Sequence, residues 1–461
     1  MLIDKVLKSK TRAPAVLPLV MVVACLLLMG SHNVVTLPPS ASMHTQEITE
    51  QDIIESYVYL LGRALAVRQE QMDLKVPGVA YNQVKYNKPR QADFVNPNLD
   101  VAYMEAWFAI DEHSAVILEM PAVKKRYYTV QLMDGWGEVL YNINERNFPD
   151  KPFGRYALCL ANTKVSIPPD ALKVIVPNKK IKMLARVELQ NSVDEAVKLQ
   201  KQFKTTVIGN PVIEPVPELP SFTNSELPDL SLFKFASALM QTPDAKMRDS
   251  DSIQNLCRSV STFAFASSNN TAMVIKVIRE KAIPRLLNYA INEAGKLKNN
   301  WLAVLAGGEY NGNYWTRTAA NYVGIWANST SEVIYFIAAK DDNGDTLQGG
   351  NNYVIHFRKE ELPALHAKAF WSVILVDFPN YRVVPNNLKR YNLNNFSPFK
   401  YEADGSLKIY IGAVYSKKWP QQNWLPSPDH GSFNLTLRMY VPDQHVKDGH
   451  WFPAPIQLLA K

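Results

Sequence analysis

Cysteine is scarce, with three residues in a chain of 461. Cys25 falls in an apolar run, so Cys159 and Cys257 can form at most one disulfide. Two buried thiols are the plainer reading, because free cysteine packs as a small apolar side chain. No Cys-x-x-Cys or His-Glu-x-x-His occurs, so zinc-site spacing is missing and neither metal nor cofactor is expected. Neither a Gly-x-Ser-x-Gly elbow nor a Gly-x-x-x-x-Gly-Lys-Ser/Thr loop is present, which removes the usual marks of those hydrolases and nucleotide-binding proteins. His356, His366 and His430 stand singly, without a partner pattern. Charge is also thin. The net charge is +7, and about +3 of it comes from Lys5, Lys8, Lys10 and Arg12 against Asp4. The remainder is too dilute to hold a phosphate backbone, so nucleic acid is excluded as a partner.

Only one long hydrophobic run exists. Residues Ala13 to Gly30 carry no charge, and as a helix they would span roughly 27 Å, close to a bilayer core. Pro14 and Pro18 lie near its start, where a helix tolerates proline. Basic residues precede the run, which predicts a cytoplasmic N-terminus with the remainder translocated. Val22-Val23-Ala24-Cys25 has the form of a lipoprotein signal, but Leu26 to Met29 follows where such a chain should turn polar. No small-x-small site stands out beyond Gly30, so a signal anchor is preferred over a cleaved signal peptide. The expectation is a membrane-anchored protein with an extracytoplasmic ectodomain, or a secreted or periplasmic one after cleavage. Four Asn-x-Ser/Thr sequons, at Asn269, Asn328, Asn395 and Asn434, are what so Asn-rich a chain yields by chance.

What is present is apolar and aromatic material, 47% and 10% of the residues, enough for two or three folded units. Residues 1–12 are a basic segment, 13–30 the anchor or signal and 31–48 a linker. Thr49 can cap a helix with Asp52 at its third position, and Ile53, Ile54, Tyr57, Leu60, Leu61, Ala64 and Leu65 recur at helical spacing. Residues 49–190 then read as that helix plus a first β domain. Its strands are Val116 to Met120, Tyr127 to Met133, Lys173 to Val176 and Lys182 to Leu189. Residues 191–335 read as helical, with helices over Leu232 to Met240, Ala272 to Asn299 and Trp315 to Trp326. Residues 336–461 return to strands. Phe433 to Tyr440 alternates apolar and polar side chains, which predicts one face in a core and the other tolerant of charge. The expected fold is mainly β with a helical insert: two antiparallel β-sandwich or jelly-roll domains joined by a helical region.

The run Asn96-Pro97-Asn98-Leu99-Asp100, then Val116 to Pro121, Arg126-Tyr127-Tyr128 and Gln131 to Asp134 with Trp136, resembles domain of unknown function 1254. Gly344 to Gly349 with Tyr353 and His356-Phe357, Phe370-Trp371-Ser372, Arg390-Tyr391, Asp404 to Leu407, Asn423 to Pro428 and Arg438 to Pro442 resemble its usual partner, domain of unknown function 1214. The likeness spans about residues 50–456, with Val101 where the family usually has threonine. It implies two β-sandwiches, often behind a secretion signal, and brings no established catalytic role.

Two sets of residues are candidates for binding. Asn98 and Asp100 lie in a loop before a strand, and Arg126 can pair with Asp134 across neighbouring strands; Tyr127 and Trp136 would offer stacking surfaces. Such a set suits a ligand carboxylate or sugar hydroxyls, while the structural reading gives it to turns and ordinary ion pairs. Trp371, Arg390, Tyr391, Asn423 and Trp424 form an aromatic-polar set that suits a sugar or peptide, or else fills a sandwich core. Asp341, Asn343 and Asp345 follow the first positions of a calcium loop, but Thr346 replaces the required glycine and Asn352 the bidentate acid. The function expected is a surface module binding a glycan, small ligand or protein. The alternative is an extracellular hydrolase using a carboxylate pair such as Asp100 and Asp134.

Overall fold

The computed structural model describes residues 47–90, 97–378 and 380–460. The proposed membrane run at 13–30 therefore lies outside the described residues, as does Asn96. Among the described residues no helix is long and apolar enough to cross a membrane.

The first helix, α1 (Glu50–Leu74), begins in the expected capping box. The Thr49 hydroxyl accepts from the Asp52 N–H, and the Asp52 carboxylate accepts from the Thr49 N–H. From Ser56 to Val67 it is buried on every side, which marks a helix in the middle of a core. After α2 (Val193–Gln200), α3 (Ser231–Lys234) and α4 (Ala236–Leu239), helices α5 (Ser250–Ala266), α6 (Ser268–Val277), α7 (Ile283–Asn292) and α8 (Tyr314–Gly324) complete the layer around it. Gly62 is needed for the closest of these contacts, because a Cβ there would sit 2.3 Å from Thr318 Oγ1.

The first sandwich comprises β1 (Lys85–Tyr86), β2 (Val101–Ala109), β3 (Ser114–Met120), β4 (Tyr128–Met133), β5 (Val139–Ile143), β6 (Gly154–Cys159), β7 (Ala171–Ile175), β8 (Lys180–Glu188) and β9 (Lys204–Gly209). The second is built from β10 (Lys296–Lys298), β11 (Trp301–Val304), β12 (Val333–Ala338), β13 (Tyr353–Phe357), β14 (Trp371–Asp377), β15 (Asn392–Asn394), β16 (Leu407–Gly412), β17 (Trp424–Pro426), β18 (Phe433–Tyr440) and β19 (Ile456–Leu458). In the first, sheet β1-β2-β8-β4-β5 stacks on sheet β7-β6-β3-β9; in the second, β10-β11-β12-β18-β14-β15 stacks on β17-β16-β13-β19. The two orders are the same once β2 is matched to β12, β3 to β13 and so on to β9 and β19. Even the exceptional parallel pair recurs, β6 with β7 and β16 with β17. The chain is thus one eight-stranded sandwich built twice.

Several expectations need correction. Each sandwich contains that parallel pair and so is not wholly antiparallel. The first runs past residue 190 to include β9, an edge strand with little buried surface and therefore little periodic signal. The helix expected from Ala272 to Asn299 is broken by a π-turn at Ile278–Ala282, restarts with a proline in its first turn, and ends before β10. Leu232 to Met240 is two short helical turns that meet at Phe235. Phe433, Leu435, Leu437 and Met439 enter the core as expected, but Asn434, Thr436 and Arg438 are buried too. The second face of β18 meets the other sandwich and not water. Cys159 and Cys257 are both free and buried, in β6 and α5. Burial pushes the Cys257 thiol up to about 12.

Candidate functional site

Alternation along a strand sends neighbouring side chains to opposite faces. In β2, β8, β4 and β5 one set, including Met104, Ala185, Val130 and Ile143, fills the first sandwich core. The other set is polar. Strand register puts Tyr103 beside Arg186 and Arg186 beside Thr129, and the next residue in that row is Asn144. The matching sheet of the second sandwich carries Tyr335, Arg438, Ser372 and Asn394 in a row, on the strands that correspond one for one. Two faces bearing Tyr, Arg, Thr or Ser and Asn meet, buried, between the sandwiches.

Each sandwich lends the other an acid from the residue just before its matching strand, β2 or β12. Asp100, preceding β2, accepts from Asn392 and Asn394 at 2.7 and 2.8 Å. Glu332, preceding β12, accepts from Asn144 at 2.9 Å, from the Tyr127 hydroxyl at 2.9 Å and from Arg146 at 2.8 Å. Asn98 donates to the hydroxyls of Tyr440 and Tyr103, at 2.6 and 3.2 Å. Phe370 stacks on Tyr440 with ring centres 4.0 Å apart, and Tyr127 meets both edge-on. This reciprocity is that of an isologous two-fold interface within one chain.

Arg186 is the chemical anomaly. It is 2% exposed, yet among the described residues no carboxylate lies within ion-pair distance. Its guanidinium donates to Gln131 Oε1 at 2.8 Å and lies over the Tyr103 ring at 5.6 Å. Lysine could shed its charge on burial, but arginine cannot. Buried charges are ordinarily paired because the desolvation cost is several kcal/mol. Tyr103 and Tyr127 of its own half, and Tyr335 and Tyr440 of the other, surround it electrostatically. Burial holds the Tyr127 and Tyr440 hydroxyls well above the usual tyrosine range, so they stay protonated, and Tyr127 spends its proton on Glu332. The Asp100 Oδ2 and Ser372 Oγ atoms are also buried without a hydrogen bond.

The residues expected from sequence divide sharply. Asn98, Asp100 and Tyr127 come together here. Arg126 does not pair with Asp134: it donates to the carbonyls of Glu188 and Leu189 and to Glu195. Asp134 lies at the far end of the sheet, since Asp100 is opposite Leu189 and Met133 opposite Lys182 on β8. At about 3.3 Å per residue the two acids are roughly 25 Å apart, so they cannot serve one glycosidic bond. Trp136 is no stacking surface; it is buried against Tyr59 at 4.7 Å, with its indole N–H on the Thr242 carbonyl. In the second set, Trp371 is core and Asn423 braces the Lys400 and Lys408 carbonyls. Arg390 donates to the carbonyls of Gln421 and Trp424, beside Tyr391, and Trp424 donates to that of Gly412. That set is scaffold. Asp341 caps its own turn, accepting from the N–H groups of Asn343 and Asp345. Arg186, Tyr103, Tyr335, Arg438 and Tyr440 do not stand out as site residues in the sequence. One signal is there: Tyr141-Asn-Ile-Asn144 and Tyr391-Asn-Leu-Asn394 are the same strand of the two copies.

The strand order and the shared interface define a tandem β-sandwich protein with a helical layer between its repeats in sequence. The chain belongs to the proteins that pair DUF1254 with DUF1214, both described as of unknown function; the first matches residues 79–207 and the second 332–444. It is similar to the VPA0106 protein of Vibrio parahaemolyticus, at 18% identity and a TM-score of 0.66 over 89% of this chain and all of that one. A weaker likeness joins it to a putative uncharacterized protein from Burkholderia cenocepacia, at 14% identity and a TM-score of 0.42 over 89% of this chain and 92% of that one. No curated protein matches the sequence.

Proposed function

We propose that the protein binds a small molecule bearing an oxyanion at the buried polar interface between its two sandwiches. Arg186 carries this reading: a buried guanidinium without an acidic partner among the described residues, ringed by tyrosine hydroxyls from both halves. A fork of N–H donors beside protonated hydroxyls suits carboxylate, sulfate or phosphate oxygens. The two halves together supply the donors, so the site exists only in the paired fold. We propose as well that residues 13–30 hold the chain at a membrane and that the ligand is met outside the cytoplasm. Release of the full-length protein by alkaline carbonate washing would contradict that placement.

The test is ligand-induced stabilisation followed by calorimetry, with short carboxylates, sulfate and phosphate monoesters as probes. A ligand at a hundredfold its Kd adds about 2.7 kcal/mol to stability. Arg186→Gln should weaken binding at least tenfold while leaving the melting temperature of the unliganded protein unchanged or higher, since it removes a buried charge. If Arg186→Gln instead unfolds the protein and no probe stabilises the wild type, Arg186 is structural and the proposal fails.

A further inference from the structure

Duplication also picks out what one copy has and the other lacks. Four of the six histidines among the described residues, His356, His366, His445 and His450, line one cleft of about 570 Å³ beside the second sandwich. The first sandwich reaches the same strand order with a single histidine, His113, in the turn before β3. The fold therefore does not require the cluster. His356 leaves β13 on the side away from the core, which Ile355 and Phe357 fill, and its Nε2 meets the Ser406 hydroxyl at 3.0 Å. The other three rings come from α9 (Pro363–His366), from α10 (Gln444–Lys447) and from the turn after α10. Asp443 ties two of these elements together. One of its carboxylate oxygens caps α10 on the Val446 N–H, and the other lies 2.9 Å from His366 Nδ1. A carboxylate only accepts, so His366 carries a proton on Nδ1 and keeps Nε2 for the cleft. The His450 N–H donates to the His445 carbonyl, which turns the chain back and gathers the rings. Ring centres are 5.9 Å apart for His366 and His445 and 5.3 Å for His445 and His450, and Trp451 packs on His366 at 5.4 Å. Neither His445 nor His450 makes a side-chain hydrogen bond among the described residues.

The fixed charges around these rings cancel: Lys296, Lys298 and Arg358 are matched by Glu360, Glu361 and Asp443. Arg358 is held by Glu361 and lies 3.6 Å from Glu360, while Lys296 donates to the Gly449 carbonyl. Lys298 reaches the His450 carbonyl at 3.3 Å and lies over the Phe452 ring, with no acid at ion-pair distance among the described residues. A cationic excess arises only when imidazoles take up protons, the charge change that histidine supplies between about pH 5 and 8. Rings this close repel one another once charged, and an anion among them offsets that repulsion. We propose that the cleft is a second binding site, for a phosphate monoester of sugar size, with its phosphate on His366 Nε2, His445 and His450 and Lys298 beside it. Three imidazole N–H donors match the three terminal oxygens of such an ester. The volume falls in the range of small-molecule sites, roughly 300–1,000 Å³, and most of the lining side chains are polar. The site is built from the second half of the chain alone and does not rest on Arg186.

The experiment is calorimetric titration of the full-length protein, as wild type and as Arg186→Gln, which disables the site between the sandwiches. Sulfate is the probe for pH, because its charge stays fixed from about pH 8 to about pH 5.5 while imidazole gains a proton. Glucose 6-phosphate is the probe for size. Sulfate should bind at least tenfold more tightly at the lower pH, with uptake of about one proton or more per ion, read from buffers of different ionisation heat. Glucose 6-phosphate should bind more tightly than sulfate near neutral pH. The double variant His445→Gln, His450→Gln should lose the proton uptake and bind both probes at least tenfold more weakly in either background. Both side chains are exposed, so circular dichroism should show an intact fold; if it does not, proton uptake by the wild type decides. Binding that ignores the histidines and vanishes with Arg186→Gln would overturn this proposal and leave the Arg186 site standing. Histidine-dependent binding that persists in Arg186→Gln, with no Arg186-dependent probe found, would do the reverse. Binding of neither anion, or of zinc or nickel ions in their place, would overturn it as well.

Discussion

Asp134 and Glu138 lie on the loop after β4, buried between the first sandwich and the helical layer. Asp134 Oδ1 accepts from the N–H groups of Trp136 and Glu138, and Glu138 Oε1 from those of Tyr310 and Asn311. The other oxygen of each has no partner. Arg317, the nearest cation named in both their environments, is spent on a bidentate pair with Asp244 at 2.9 and 2.7 Å. Burial therefore wins, raising Asp134 to about 6 and Glu138 to about 7. A carboxyl whose folded value exceeds its unfolded one, about 3.9 or 4.3, favours folding below that unfolded value. The advantage is lost as pH rises through the folded value. These two groups should make the protein less stable on going from pH 4 to pH 7, by a few kcal/mol in all. Urea unfolding of Glu138→Gln across that range should show a flatter slope than wild type, and equal slopes would mean the carboxyl is ionised throughout. In the sequence Asp134 looked like one half of a catalytic pair with Asp100. Both are single acids in polar loops, and only strand register reveals that they occupy opposite ends of β8.

At the level of elements, the sequence made the strand pattern of β18 plain but not what covers it. Alternation fixes which residues share a face; it cannot distinguish water from a second protein surface, because a buried polar interface and solvent select the same residue types. Thr436 is 1% exposed, and its cross-strand neighbours are Ile337 and Ile374. Thr436→Asp would bury a carboxylate between two isoleucines, so it should destabilise the protein by several kcal/mol and lower its midpoint well below wild type, as Leu437→Asp does. Denaturant midpoints for the two variants test this, and a near-wild-type midpoint for Thr436→Asp would mean that face is open to water. The helix α1 was legible for the opposite reason. Its cap and apolar spacing are local, and they need no knowledge of the partner. What remained hidden was the tight α8 contact at Gly62, which depends on residues more than 250 positions away.

For the whole molecule, duplication is the organising fact, and it governs how the fold should fail. The family likeness supplied two sandwiches, whereas their shared strand order and reciprocal acids emerge only from pairing registers far apart in the chain. Two independent sandwiches would melt separately. These two are tied by an aromatic cluster of Val101, Tyr127, Val333, Phe370 and Tyr440, and by Leu99 packed among Ile374, Val376 and Val383. The Glu332–Arg146 ion pair crosses the same interface, with Glu332 buried. Phe370 belongs to the second sandwich but packs on Tyr127 of the first, so truncating it opens a cavity at the seam. Phe370→Ala should cost about 3–5 kcal/mol, a large share of a net stability of about 5–15 kcal/mol. If the halves unfold together, differential scanning calorimetry will show one transition in wild type and a single, lower transition in Phe370→Ala. If instead the variant splits into two transitions, with the first sandwich melting at its wild-type temperature, then the seam is a contact between autonomous domains. The proposed oxyanion site would in that case form by docking after folding, and binding there would carry the cost of bringing the halves together.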